Sequence, residues 1–151
     1  MIGRRARAAS SAMPDLLVNL LKLPPVESST AVLNKAGVTV RRAQPFEITP
    51  VRDFITSNFS ASWADEISVG FAAYECTRKA FFGPTGVADA ERGRGIGKAL
   101  LIASLWGLQE LGYVYGIIGA AGPVEFYQQA VGATLIPDSE PGIYFDLLKQ
   151  Q

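Results

Sequence analysis

The sequence predicts a single domain of the α/β (α+β) class, with a mixed β-sheet flanked by helices. Its 151 residues and 48% hydrophobic composition are enough to bury one core without metal or disulfide staples. The most informative stretch predicts a strand, a turn, a helix and a second strand, over FFGPTGV, ADAERGRGIG, KALLIASLWGLQEL and YVYGII. The second strand is almost continuously apolar, which is typical of a sheet covered on both faces.

The N-terminal part is expected to begin with a disordered extension over residues 1–12, with Met13 as an alternative first residue and the domain over residues 13–151. From Asp15, the segment DLLVNLLKL predicts a short docking helix, because its leucines recur at helical spacing. A Pro-Pro pair would stop this helix.

Three further elements are predicted before the central unit. A brief helical stretch ends at Gly37, and the apolar–polar alternation of residues 38–42 predicts a half-buried strand. The helix that follows would have Thr49 as its N-cap and Pro50 in its first helical position.

The remaining elements complete the sheet. Two strands, over 67–74 and 79–87, are separated by a short turn and are expected to pair antiparallel. After the central unit, in which Gly112 would cap the helix, VEFYQQA predicts a short helix ended by Gly132. A last pair of strands is predicted over 133–136 and 143–147, around the turn PDSEPG.

Composition removes several classes of function. The sequence contains no histidine, so the common zinc sites and the Ser-His-Asp and Cys-His nucleophile arrangements are excluded and no metal site is predicted. Fourteen basic and 14 acidic residues balance, which gives no global field for nucleic acid. The single cysteine, Cys76, favours a reducing, cytoplasmic compartment, and no apolar run approaches the roughly 18 residues that a membrane span needs.

A glycine-rich turn at the start of the central helix carries the predicted chemistry. The turn and helix start comprise Arg92, Gly93, Arg94, Gly95, Ile96, Gly97 and Lys98. The glycines allow a tight turn and close approach of a bulky anion to the backbone, and the helix start supplies unpaired N–H groups and a positive dipole end. These features predict a cradle for a diphosphate, although neither a Walker A motif nor a complete Rossmann fingerprint is present. The alternative is a glycine-rich turn that binds nothing.

At these residues the sequence resembles the GNAT acyltransferases, whose motif is Arg or Gln, two residues, Gly, one residue, and Gly or Ala. Arg92, Gly95 and Gly97 match it, and the resemblance runs over residues 38–147. It implies a centrally splayed sheet and binding of the acetyl-coenzyme A pyrophosphate by backbone N–H groups of the turn. It also implies that the acetyl carbonyl and pantetheine arm are aligned by the backbone of Thr85, Gly86 and Val87. Members commonly have three antiparallel strands before the motif, so the antiparallel N-terminal half is shortened here.

The resemblance implies N-acetyl transfer by direct attack of an amine on the thioester. Tyr127 falls where many members place the tyrosine that protonates the departing thiolate, and ring packing is the alternative role. Glu75, at a strand end, is the candidate base, with a solvated turn acid as the alternative. Trp63, Phe81 and Phe82 are candidates for an acceptor pocket, with core packing the stronger interpretation.

The acceptor would be a small-molecule or protein amine, with a homodimer left open. The competing functions are a non-catalytic acetyl-CoA-binding module with a sensing or regulatory role and a phosphate-binding domain unrelated to coenzyme A.

Overall fold

A computed structural model describes residues 13–59, 69–76 and 78–143. Over these ranges the chain forms a five-stranded mixed sheet and four α-helices, which confirms the predicted mixed α/β class. The strands are Leu16–Asn19 (β1), Gly70–Tyr74 (β2), Phe81–Val87 (β3), Tyr115–Ile118 (β4) and Thr134–Leu135 (β5). The helices are Val26–Lys35 (α1), Ile48–Phe59 (α2), Ile96–Glu110 (α3) and Val124–Val131 (α4). The predicted extension over residues 1–12 lies outside the described residues.

The sheet has the order β2-β3-β4-β1-β5. β2 and β3 pair antiparallel as predicted, and β3 and β4 pair parallel. β1 pairs antiparallel with β4 on one side and with β5 on the other. The most N-terminal strand is therefore an interior strand of the sheet.

The predicted docking helix from Asp15 is wrong, because its first half is β1. Leu16 and Val18 are buried whereas Leu17 and Asn19 are only half-buried, which is the two-residue period of a strand. Neighbouring strands on both edges form hydrogen bonds with its backbone. This pairing satisfies the backbone groups without a helix, so it decides the conformation over the helical spacing of the leucines. A 3₁₀ turn over Leu20–Lys22 ends the strand.

The predicted strand over residues 38–42 is also wrong, since this segment has no regular structure. It follows the last turn of α1 directly, and the Val38 N–H donates to the Leu33 carbonyl at 2.9 Å. Val38 and Val40 pack against a small apolar cluster formed with α3, so their alternation buries side chains without a strand partner among the described residues.

The predicted second helix is present, but Thr49 does not cap it. α2 begins at Ile48, directly after a 3₁₀ turn over Pro45–Glu47, so Thr49 and Pro50 lie inside its first turn. The carboxylate of Glu47 accepts the Gln44 N–H at 2.7 Å, and this contact sets the start of the combined helical segment.

The core lies where α3 packs on the sheet. The fully buried residues of α3 that form this core are Leu101, Ile102, Leu105 and Leu108. At the C-terminal end, the Gly112 N–H donates to Gln109 at 2.9 Å and the Tyr113 N–H to Leu108 at 3.3 Å. This is a Schellman motif, and the φ of +96° at Gly112 confirms the predicted glycine cap.

The two parallel strands pair over a short stretch. β3 and β4 pair only at Phe81 with Ile117 and at Phe82 with Ile118, after which β4 ends and β3 continues to Val87. One edge of β3 from residue 83 to 87 therefore faces no described strand. At the far side of the sheet, β5 pairs with β1, and the predicted partner strand over 143–147 lies outside the described residues except for Ile143.

Candidate functional site

A cleft of about 530 Å³ opens where β3 runs past the end of β4. This volume lies within the roughly 300–1,000 Å³ usual for small-molecule sites. The walls come from the end of β3, the glycine-rich turn, the start of α3 and the start of α4. The lining residues are Phe82, Thr85, Gly86, Val87, Glu91, Arg92, Gly93, Gly95, Ile96, Gly97, Lys98, Leu101, Pro123, Phe126 and Tyr127.

The structure thus brings together most of the residues predicted from the sequence. Of the ten predicted cofactor-binding residues, Arg94 alone does not line the cleft, and Tyr127 does. The sequence reasoning missed Glu91, Leu101, Pro123 and Phe126, and it treated Phe82 mainly as a core residue. Phe126 and Glu91 had a signal in the sequence, because they directly precede the predicted site residues Tyr127 and Arg92, whereas Leu101 and Pro123 reach the cleft through tertiary packing.

The glycine-rich turn is open towards the cleft. Gly93 and Gly95 have φ of +80° and +83°, the left-handed region that favours glycine. A Cβ atom placed on either residue would meet no heavy atom within 4 Å. The first intrahelical hydrogen bond runs from the Ala99 N–H to the Gly95 carbonyl at 3.1 Å, so the N–H groups of residues 96–98 have no partner within the helix.

The charges around this turn favour an anion. The first turn of α3 contains no acidic residue and does contain Lys98, which is the unfavourable arrangement for an isolated helix start. Arg92 pairs with Asp89 at 2.9 Å and Arg94 pairs with Glu91, both at exposed positions. Lys98 forms no ion pair with any described residue, so its ammonium and the helix dipole act together on whatever enters the cleft.

β3 spans the length of the cleft. Its Phe82 end lies beside Tyr127, with ring centroids 6.4 Å apart, and its Val87 end lies beside Gly97, where an added Cβ would be 3.6 Å from the valine side chain. Five residues of strand at about 3.3 Å each separate the two ends by about 16 Å. The Thr85 hydroxyl donates to the Phe71 carbonyl at 3.0 Å, so this stretch offers the cleft its backbone rather than that hydroxyl.

Tyr127 is a buried residue at the other end of the cleft from the glycine-rich turn. Its ring makes edge-to-face contacts with Phe82 and, at 5.2 Å, with Phe126. The hydroxyl is hydrogen-bonded to no described residue, yet no buried side-chain oxygen or nitrogen in the described part of the chain lacks a partner. The hydroxyl therefore keeps contact with solvent in the cleft. Burial raises the pKa of Tyr127 above its usual value of 10.0, so the phenol is protonated at neutral pH.

Glu75, the predicted base, does not line the cleft. It lies in the turn between β2 and β3, and its carboxylate accepts the Ala80 N–H at 2.8 Å and the Lys79 ammonium at 2.9 Å. The hydrogen bond from Ala80, followed by those from Lys79 and Tyr113, lowers the pKa of Glu75 to about 2. A carboxylate held in this way is a poor proton acceptor, and its contacts are those of a turn-stabilising acid.

Over the described ranges, no three His, Cys, Asp or Glu side chains are grouped so that they could hold a metal ion. No helix in the described part of the chain combines the length and apolarity needed to cross a membrane. Comparisons with protein-family models, with curated proteins and with solved structures found no match to this chain.

Proposed function

We propose that this chain is a cytoplasmic N-acetyltransferase with a GNAT-like splayed sheet, which moves an acetyl group from acetyl-CoA to a small-molecule or protein amine. The observation that carries the proposal is the composition of one cleft. It has an anion cradle at the Val87 end of β3, a stretch of strand edge that faces no described strand, and the hydroxyl of the buried Tyr127 at the Phe82 end. A charged diphosphate, an extended arm with amide groups and a thioester need these three environments in this order.

The diphosphate would bind the backbone N–H groups of residues 96–98 and the Lys98 ammonium. Their direction and charge are present before any ligand arrives, which lowers the cost of ordering the site. Arg92 and Arg94 already have carboxylate partners, so they would contribute less unless those ion pairs open. The pantetheine arm would follow the edge of β3 over residues 85–87, which faces no described strand.

The chemistry would be a single displacement at the thioester carbonyl. The amine nitrogen forms a bond to the carbonyl carbon, the carbon–sulfur bond breaks, and the thiolate takes a proton from the Tyr127 hydroxyl. The amine releases a proton to water, and water returns a proton to the Tyr127 phenolate, which regenerates the enzyme. The raised pKa keeps the Tyr127 hydroxyl protonated at neutral pH, so the hydroxyl holds a proton to donate and cannot act as a base there. Glu75 has no part in this scheme, because it lies outside the cleft.

One observation favours a second function, a non-catalytic acetyl-CoA-binding module with a sensing or regulatory role. Among the described strands, β2 alone lies on the outer side of β3. The acceptor amine would approach from that part of the sheet, so a sheet that is shortened there would lack part of the amine site. Binding without turnover of any amine would favour this second function.

Binding of acetyl-CoA, measured by calorimetry, tests the cofactor assignment. The Gly95→Ala variant places a methyl group in the open cradle and disturbs the start of α3, so we expect affinity to fall at least about tenfold. Gly37→Ala is the matched control, because Gly37 has a similar φ of +78°, equally open surroundings and no place in the cleft. Both variants lose stability from left-handed strain, but only the first should lose affinity.

Three results would count against the assignment. Wild-type protein that does not bind acetyl-CoA at millimolar concentration would remove it, and equal affinities in the two glycine variants would move the site elsewhere. Desulfo-CoA should bind like acetyl-CoA, because it keeps the diphosphate and the arm. If ATP bound more tightly than desulfo-CoA, the cleft would instead be a general nucleotide phosphate site.

A further inference from the structure

Asp15 is a buried carboxylate that joins three distant parts of the chain. The residue is 8% exposed, and it directly precedes β1 in the chain. One carboxylate oxygen, Oδ1, accepts the Ala120 N–H at 2.7 Å and the Ile143 N–H at 3.3 Å. Its backbone N–H donates to the Ser139 hydroxyl at 2.9 Å. A buried charge needs such partners, and here they are the loop after β4 and the loop after β5.

The loop after β4 depends on these contacts for its shape. Ala120 has a φ of +49°, a left-handed conformation that a side chain disfavours and that persists only when its surroundings hold it. The next N–H, of Ala121, donates to the Pro14 carbonyl at 2.7 Å. Residues 14 and 15 therefore hold two consecutive amides at the point where the chain leaves β4.

The same loop sets the position of Tyr127. Ala121 is buried in the apolar cluster that contains Phe82 and Tyr127. Two residues further on, the Pro123 carbonyl accepts the N–H groups of Phe126 at 3.1 Å and of Tyr127 at 3.4 Å, which forms the first turn of α4. A shift of the loop at Ala120 would therefore move the start of α4 and with it the tyrosine ring.

We propose that Asp15 is a positioning residue that holds the loop after β4 and so fixes the Tyr127 hydroxyl in the cleft, a role that rests on the proposed acetyl transfer. Asp15 touches neither cofactor nor amine in this scheme. It acts through the hydrogen bond from the Ala120 N–H to its carboxylate, on the backbone that leads to the proton donor.

A double-mutant cycle with Tyr127→Phe tests the coupling. A displacement of about 1 Å can cost on the order of 10²-fold in rate, so Asp15→Ala should lower kcat at least about tenfold. The Kd of acetyl-CoA should change by less than about twofold, because no cofactor contact is lost. In the Tyr127→Phe background, Asp15→Ala should cause no further loss of kcat. An equal loss in both backgrounds, or an unchanged kcat, would overturn the proposal.

Two further variants separate positioning from a general loss of stability. Asp15→Asn keeps an acceptor oxygen for both N–H groups, so kcat should stay within about threefold of wild type. Ser139→Ala is the matched control, since it removes the bond to the Asp15 backbone and leaves the carboxylate on Ala120. Loss of kcat in Ser139→Ala as large as that in Asp15→Ala would contradict the assigned route through Ala120.

Amide hydrogen exchange tests the same idea without turnover. In the wild-type protein, the amides of Ala120 and Ala121 should exchange as slowly as those of the core strands, and rapid exchange would overturn the proposal even if Asp15→Ala does not fold. Where Asp15→Ala folds, exchange should rise over residues 119–127 and stay at the wild-type rate in Asp15→Asn. A wild-type protein with no activity on any amine would remove the proposed function, and these exchange rates would still decide whether Asp15 holds the loop.

Discussion

Replacing Tyr127 by phenylalanine removes a single oxygen atom and leaves the ring contacts with Phe82 and Phe126 in place. Because the hydroxyl is hydrogen-bonded to no described residue, the free energy of unfolding should change by about 1 kcal/mol or less. If the hydroxyl protonates the leaving thiolate, general acid catalysis sets the expected loss of kcat at about 10²- to 10⁴-fold. That loss corresponds to about 3–5 kcal/mol of transition-state stabilisation, several times the expected effect on folding.

The assay is release of free thiol from acetyl-CoA at saturating amine, followed for wild type and variant over a range of pH. Since burial raises the pKa of Tyr127, wild-type kcat should fall only above about pH 10 as the phenol loses its proton, and this alkaline decline should be absent from the variant. Tyr115→Phe is the matched control, because Tyr115 is 52% exposed on β4 and does not line the cleft. An unchanged kcat in Tyr127→Phe with a normal melting temperature would refute the role of this residue.

Two further predictions concern stability. The pKa of Glu75 is lowered from 4.5 to about 2, so its charged form adds stability that is fully present above pH 4.5 and is lost as the pH falls towards 2. The difference in melting temperature between wild type and Glu75→Gln should therefore shrink over this range, and a constant difference would contradict the contacts of this carboxylate. Leu105→Ala, at a fully buried position of α3, should lower the free energy of unfolding in urea by about 2–5 kcal/mol. Leu21→Ala, at a position 66% exposed, should change it by less than about 0.5 kcal/mol, and similar losses in both would contradict the assigned core.

The central strand–helix–strand unit could be predicted because its signals are local. α3 is long, apolar and bounded by Gly95 and Gly112, whose positive φ angles mark its two ends. β3 has the predicted bounds of the FFGPTGV segment. Patterns of this kind need only neighbouring residues to be interpreted, and tertiary structure did not override them.

β1 could not be predicted in the same way, because its conformation depends on residues far along the chain. Its backbone partners are β4 and β5, about 100 or more residues away in sequence. Without them, the leucines from Leu16 to Leu23 satisfy a helical pattern as well as an alternating one, and the pattern alone cannot choose. Residues 38–42 show the opposite case, in which an alternating pattern found no partner strand among the described residues.

The candidate site likewise combines features that local sequence signals predict with features that depend on tertiary packing. The open glycine-rich turn follows from glycine conformation and a helix start, so the sequence predicts it directly. Tyr127 was identified by resemblance to a family, and its place beside Phe82 is a property of packing that no local pattern contains. Glu75 was chosen for its position near a strand end, but that end is the one away from the glycine-rich turn. The predicted antiparallel pairing already places the end of the first strand at the turn before β3, so the wrong end could have been recognised from the sequence.

The interior position of β1 also explains how β4 can pair so briefly with β3. β4 shares only two residue pairs with β3 but four with β1, from Leu16 with Ile118 to Asn19 with Tyr115. Its backbone groups are therefore satisfied mainly on the β1 side, and β3 is held independently by β2 and by α3. Because β4 pairs with β1 at all four of its residues and β3 pairs with β2 at four of its seven, both strands keep a partner beyond the two pairs that they share. The cleft lies where β3 continues past the end of β4, and Asp15, directly before β1, links the strand that pairs with β4 to the loop that leads to α4 and Tyr127.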